Sequence, residues 1–173
     1  MKYNIVPHCN VHEAAINGDL RAIKRYWPAC ANIFDADVVK LAAEHGHLPV
    51  VKYLFRGWIA PFIDDIRHAI RPSAPIDQCA LAAAAANGHL EVVKYLVRRH
   101  APWDQSAMKL AIRNGHLEVV RYLYECDAPF YAELVLEASD IHVINYFRRY
   151  RYLRNVCQLA LNAHVNRFRD QSG

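Results

Sequence analysis

The decapeptide NGHLEVVKYL, from Asn87 to Leu96, recurs as NGHLEVVRYL from Asn114 to Leu123, as HGHLPVVKYL from His45 to Leu54, and more loosely as NGDLRAIKRY from Asn17 to Tyr26. A chain that repeats itself in register is confined to architectures built from like units, a constraint that comes before any reading of single residues. Gly18, Gly46, Gly88 and Gly115 mark the unit. The first and last of their intervals agree to within one position, and the middle interval is half as long again. A second marker keeps the shorter step: Ala74-Pro75-Ile76-Asp77, Ala101-Pro102-Trp103-Asp104 and Ala128-Pro129-Phe130 are evenly spaced, in time with Gly88 and Gly115.

Each unit reads as helix–turn–helix. Leu81, Ala84 and Ala85 form an apolar stretch that ends at Gly88, which suits the left-handed position closing a helix. Leu90, Val93 and Val97 then recur on one face of a second helix, with Glu91 and Lys94 placed to pair on its outer side. Pro49 stands in the first turn of its second helix, where a missing N–H is harmless. Two short helices and their turn use roughly 20 residues, leaving only a handful for the connection. The spacing therefore predicts an all-α rod with tight loops and little or no strand.

The stretch Val11-His12-Glu13-Ala14-Ala15-Ile16-Asn17-Gly18-Asp19-Leu20 resembles the LHxAAxxGxL pattern of ankyrin repeats, and Ala42-Ala43 before Gly46 and Ala84-Ala85 before Gly88 repeat its core. Ankyrin repeats typically run to about 33 residues; these are shorter. With its Ala-Pro-Trp-Asp junction and NGHLEVVKYL second helix, the chain is similar to the short ankyrin-like arrays of giant DNA viruses of amoebae and of some protists. The resemblance covers nearly all 173 residues. It implies an ankyrin-like α-solenoid of stacked helix–turn–helix repeats with shortened hairpin loops. It also implies a non-enzymatic module that binds a partner protein on its concave face, a host protein if the source is viral. His12 matches the family's histidine, which hydrogen-bonds backbone between repeats. Later units carry Lys40, Ala82 and Lys109 there, so that bond is lost or substituted in them.

In chain order the reading is one repeat domain over 1–173: units near 4–29 and 30–59, a half unit at 60–73, units at 74–100 and 101–127, a degenerate unit at 128–152 and a terminal cap at 153–173. The half unit follows from Ala60-Pro61-Phe62, which precedes Ala74-Pro75-Ile76 by half the usual step. Asp64 or Asp65 would cap a short helix there, ended by Pro72 and Pro75, and the stack is expected to bend or break. Asn10, Asp37 and Ser106 are placed to cap the first helices of their units, with Asp77 substituting where Cys79 takes that place. Ser139 to Phe147 is a decayed second helix, and Asn162-Ala163-His164-Val165 a fainter echo; a solenoid needs such atypical ends.

Composition narrows the function classes. A net charge of +4 is mild, and spread evenly it means only solubility. Five cysteines without a CxxC pair point to reduced thiols and a cytoplasmic setting, with the nucleus as the other candidate. The start, MKYNIVPHCNVHEAA, does not read as a signal peptide. The longest apolar run, Cys79 to Ala86, falls far short of the roughly 20 residues that span a bilayer, so no membrane partner is expected. A linear array spreads its residues where catalysis needs convergence, and no nucleophile–base setting or phosphate loop is present. No catalytic residue, cofactor or small-molecule substrate is therefore expected. His47, His89 and His116 share one place in successive units, about 10 Å apart, whereas zinc needs nitrogens about 2 Å from one ion. Such a ladder cannot share a metal, and a structural or solvated role is expected. His8, Cys9 and His12 would supply three ligands without a fourth.

The residues just before each glycine change chemistry while the flanking core does not: Glu44-His45, Ala86-Asn87 and Arg113-Asn114. By the resemblance they point to the concave face. The candidates for partner contact are Glu44, His45, Asn87, Arg113 and Asn114, with Trp103 and Asp104 from the junction. Phe62, Trp103 and Phe130 each follow an Ala-Pro pair, and packing on the next unit is expected ahead of a row of exposed anchors. The alternative surface is basic: Arg148, Arg149, Arg151 and Arg154, with Arg167 and Arg169 beyond, interleaved with Tyr146, Tyr150 and Tyr152. Arginine among aromatics suits nucleic acid or another acidic surface, set against a solvated cap that keeps the end of the stack soluble.

Overall fold

The computed structural model describes residues 11–26, 36–55, 78–150 and 153–170. In order these form α1 (Val11–Ile16), α2 (Leu20–Tyr26), α3 (Ala36–Glu44), α4 (Leu48–Phe55), α5 (Gln78–Ala86), α6 (Leu90–Arg98), α7 (Gln105–Arg113), α8 (Leu117–Glu125), a 3-10 helix (Ala132–Glu137), α9 (Ile141–Arg148) and α10 (Arg154–Asp170). Among the described residues there is no strand.

The helical pairs arise from one turn used repeatedly. Gly46 and Gly88 adopt φ of +76° and +74°, a region that costs a side-chain-bearing residue roughly 1–2 kcal/mol. The backbone then reverses: Gly88 N donates to Ala85 O at 3.3 Å and His89 N to Ala84 O at 3.0 Å, which satisfies carbonyls left open at the end of α5. α6 and α8 close in the same way without glycine. His100 and Asp127 take φ of +54° and +56°, and Ala101 N and Ala128 N reach back to Leu96 O and Leu123 O at 3.1 and 3.0 Å.

Stacking follows from side-chain size. The first helices α1, α3, α5 and α7 lie side by side, and the second helices α2, α4, α6 and α8 form an outer layer. Neighbours approach more closely in the first layer, because buried Ala14, Ala15, Ala42, Ala43, Ala84, Ala85 and Ala111 line its seam. The outer layer meets through larger buried residues such as Val50, Leu54, Val93, Leu96, Val120 and Leu123. The tighter layer makes the shorter arc, so the first helices form the concave side.

All these residues belong to one continuous apolar cluster, in which Leu54, Leu96 and Leu123 are each 0% exposed. Replacing one of these leucines by alanine would cost about 2–5 kcal/mol. Among the described residues the cluster contains no charged side chain, and its polar side-chain groups are the Tyr146 hydroxyl and the Cys157 thiol. It also runs across the longer interval after Gly46, where the spacing predicts a bend or break. α3 packs on α5 and α4 on α6, so the stack is continuous at that point. The half unit 60–73 with Phe62, Asp64 and Asp65, and the cap positions Asn10 and Asp77, lie outside the described residues.

At the end of the stack the pattern changes. The six-residue 3-10 helix takes the first-helix place beside α7, α9 takes the second-helix place beside α8, and α10 lies against both. Asn162 to Val165, which echoes the glycine turn in sequence, sits inside the unbroken 17-residue α10. Ala163 stands where the glycine would be, and nothing there opens a left-handed turn. Capping differs from expectation as well. Asp104, not Ser106, caps α7, accepting from Ser106 N at 2.9 Å. Asp37 lies in the first turn of α3, inside the helix and not ahead of it.

Candidate partner-binding face

A ladder of histidines joins the units along the ends of the first helices. His47 Nε2 lies 2.6 Å from the Ile16 carbonyl oxygen, His89 Nε2 2.8 Å from that of Glu44, and His116 Nε2 2.9 Å from that of Ala86. A carbonyl oxygen can only accept, so each Nε2 carries the proton and donates. Each ring also fills the space where the preceding glycine lacks a side chain. A Cβ on Gly46 would stand 2.6 Å from His89 Nδ1, and one on Gly88 2.6 Å from His116 Nδ1. The histidines are thus structural, each tying its own unit to the unit before. The same position in the outermost units is aspartate. Asp19 accepts from Arg21 N at 2.9 Å and Asp140 from His142 N at 2.8 Å, so both cap their own helices instead of reaching back.

Five of the seven candidate contact residues fall along this edge. Glu44 ends α3, His45 follows it, Asn87 follows α5, and Arg113 and Asn114 end α7. Glu44, His45, Asn87, Arg113 and Asn114 are all exposed or half-buried. Two bonds within a helix end and one between units hold them in register. His45 Nδ1 donates to Leu41 O at 3.0 Å, Asn87 Nδ2 to Ala83 O at 3.1 Å, and Asn114 Nδ2 to Ala86 O at 2.6 Å. The His45 and His47 rings lie nearly parallel, with centroids 6.3 Å apart.

Trp103 and Asp104 are elsewhere. They stand at the N-terminal end of the nine-residue α7, about 13 Å from Arg113 at 1.5 Å per residue. Asp104 uses its carboxylate for the cap, also accepting from Ser106 Oγ at 3.1 Å. Trp103 is half-buried against the core. Phe130 stacks on Phe147 with centroids 4.9 Å apart, so the junction rings that the structure describes pack, as expected.

Two residues outside the candidate set join Arg113 on the concave layer. Lys109 Nζ lies 3.2 Å from Glu137 Oε1 and Arg113 Nε 3.5 Å from Glu137 Oε2. Lys109 carries a signal in the sequence, since it stands in the same place before Gly115 as Lys40 does before Gly46. Its partner does not, because Glu137 comes from the 3-10 helix of the following unit.

The basic C-terminal surface is partly occupied from within. The Arg149 guanidinium lies 4.0 Å from the Tyr146 ring centroid and 5.1 Å from that of Tyr150, and donates to Tyr150 Oη at 3.1 Å. That bond to Tyr150 holds the arginine above its usual range. Burial pushes the Tyr146 phenol up. Arg148 and Arg154 are exposed, and Arg151 lies outside the described residues. On the outer layer, a cleft of about 150 Å³ is lined by Leu90, Lys94, Glu118, Arg121, Tyr122 and Glu125. Lys94 and Arg121 already pair there with Glu91 at 2.8 Å and Glu118 at 3.3 Å.

Among the described residues no three His, Cys, Asp or Glu side chains are grouped to hold a metal ion, and no helix is long and apolar enough to cross a membrane. Alanine-seamed helical pairs, glycine turns and a half-exposed edge of varied residues define a helical-repeat scaffold. The family model for ankyrin repeats in three copies matches residues 11–101 and again residues 39–133. The chain belongs to the ankyrin-repeat family, whose members serve in general as protein–protein interaction modules. No curated protein matches the chain.

Proposed function

We propose that the protein is a non-enzymatic recognition module that holds a partner protein against its concave side. The contact residues lie along the first-helix edge: Glu44, His45, Asn87, Arg113 and Asn114. The observation that carries this reading is the combination, on one edge, of a fixed backbone and changing side chains. The histidine ladder and alanine seam hold the helix ends, while the residues displayed there run from Glu44 through Ala86 to Arg113. A preorganised surface loses little entropy on binding. Trp103 and Asp104 contribute less, because the scaffold already uses their side chains. The resemblance to giant-virus arrays extends the reading to a host protein as partner.

Arg149 stacks on Tyr146 and Tyr150, so protein binding is preferred over nucleic-acid binding through Arg148, Arg149, Arg151 and Arg154. The test is affinity capture from the native cell, identified by mass spectrometry, with three baits: the parent chain, a Glu44→Arg/Arg113→Glu variant, and a Glu118→Arg outer-layer control. Capture lost only by the concave-face variant supports the reading. Equal capture by all three baits overturns it. Salt-sensitive retention of RNA or DNA, abolished by Arg148→Ala with Arg154→Ala, would transfer the function to the basic end.

A further inference from the structure

The concave face holds an arginine whose hydrogen-bonding capacity is unspent. Arg113 is 57% exposed, and its one ionic neighbour among the described residues, Glu137 Oε2, lies 3.5 Å from Nε. That oxygen is buried and accepts no hydrogen bond. Charge-assisted N–H···O bonds ordinarily close to about 2.7–2.9 Å, so Glu137 neutralises Arg113 without engaging its planar fork. Lys109, 41% exposed, stands 3.2 Å from the other oxygen of the same carboxylate. Two cations therefore share one carboxylate. Beside them α5, QCALAAAAA, is the only described helix without a charged or histidine side chain, so nothing on that flank competes for the pair.

We propose, resting on the concave-face reading above, that Lys109 and Arg113 are the anchor for a carboxylate of the partner, presented by an acidic peptide segment that crosses from α7 over α5. Guanidinium is the side chain suited to planar, two-point recognition of a carboxylate. Glu137 is the resident counter-ion: it keeps the two cations oriented in the free protein and yields its place, wholly or in part, when the partner's carboxylate arrives. The partner's neighbouring apolar side chains lie over half-buried Ala83, Ala86 and Leu110. Asp37 and Glu44 on α3, across α5 from the pair, carry the opposite charge and set the direction in which such a segment runs, acidic end toward α7.

The test is selection of a displayed random-peptide library on the full chain, followed by titration of the enriched peptides. The expected result is enrichment of Asp or Glu beside Leu or Phe. Such peptides should bind at least tenfold more weakly to Lys109→Ala and to Arg113→Ala, with unchanged helical content, and severalfold more tightly to Glu137→Gln. A merely structural Glu137 would leave binding unchanged or weaken it. Enrichment without acidic residues, or acidic peptides bound equally by Arg113→Ala, overturns the proposal. Preference for phosphoserine peptides over their glutamate counterparts would also overturn it, since the occupant would then be a phosphate. Loss of native capture by Glu44→Arg/Arg113→Glu, together with indifference to acidic peptides, would remove this anchor and leave the concave-face function standing.

Discussion

The imidazole of His89 fills the space that Gly46 leaves for want of a side chain, and its Nε2 donates to the Glu44 carbonyl 2.8 Å away. One residue thus supplies the turn partner, the packing and the hydrogen bond between two units separated by 45 residues in sequence. His47 and His116 do the same for their neighbours.

The rungs of this ladder differ in redundancy. The Ala86 carbonyl receives both His116 Nε2 at 2.9 Å and Asn114 Nδ2 at 2.6 Å, whereas the Glu44 side of His89 has the histidine bond alone among the side-chain bonds described. His89→Ala is expected to lower stability by roughly 1–3 kcal/mol, the cost of leaving a partly buried acceptor unmet. His116→Ala should cost less, and His116→Ala/Asn114→Ala more than the sum of its singles. Urea denaturation of the parent, the three single variants and the double variant measures the ordering.

Capping gives a second ordering. Asp104 accepts from Ser106 N and Ser106 Oγ, so Asp104→Ala should cost about 1 kcal/mol. Ser106→Ala removes only the hydroxyl contact and should cost a few tenths. Thermal melts of the two variants separate Asp104 from Ser106 as the residue that starts α7.

Cys157 is buried and Cys79 exposed. Burial pushes the Cys157 thiol above its ordinary value, because the thiolate is the form that burial disfavours. A group raised on folding contributes stability that is whole below its unfolded value and is lost as the pH rises through the folded one. Stability should therefore be unaffected by Cys157 at neutral pH and fall on the alkaline side of the usual thiol range, and Cys157→Ala should remove that part of the fall. In iodoacetamide labelling read by mass spectrometry, Cys79 should react in the folded chain and Cys157 only after urea is added.

His100 closes α6 at φ +54°, where a side chain is strained. His100→Gly should relieve roughly 0.5–1 kcal/mol after the added freedom of the unfolded chain is set against it. A rise in the urea midpoint checks this; a fall would mean that the histidine ring contributes contacts outweighing the strain.

The repeat, its glycine turns and its helical faces are legible in the sequence because each depends on residues a few positions apart. Gly88 fixes one turn by local chemistry alone, whereas the face read from Leu90, Val93 and Val97 is shifted: Val92, Val93 and Leu96 are buried, with Leu90 and Val97 half-buried beside them. What the sequence hides depends on distant partners. The histidines read as structural or solvated, yet the carbonyl each one meets lies 30 or more residues earlier, and no local rule selects it. The Glu137 bridge to Lys109 and Arg113 is invisible for the same reason. Ser106 reads as the cap by position, whereas side-chain reach favours Asp104, two residues ahead of the amide it meets. The long interval between Gly46 and Gly88 suggests a break, because spacing reports how much chain intervenes and not whether the flanking helices still touch. Of the candidate contact residues, the five at first-helix ends share an edge. Trp103 and Asp104 do not, since the length of α7 carries them to the opposite end of the layer.

Glycine and histidine act as a unit across each junction, and a double-mutant cycle on Gly46→Ala and His89→Ala measures that directly. Alone, Gly46→Ala should cost about 2–4 kcal/mol, strain at positive φ plus the clash with the ring. With His89 already replaced by alanine, only the strain of about 1–2 kcal/mol should remain. A double variant clearly less damaging than the sum of its singles is the predicted result, and strictly additive losses would contradict the junction described here.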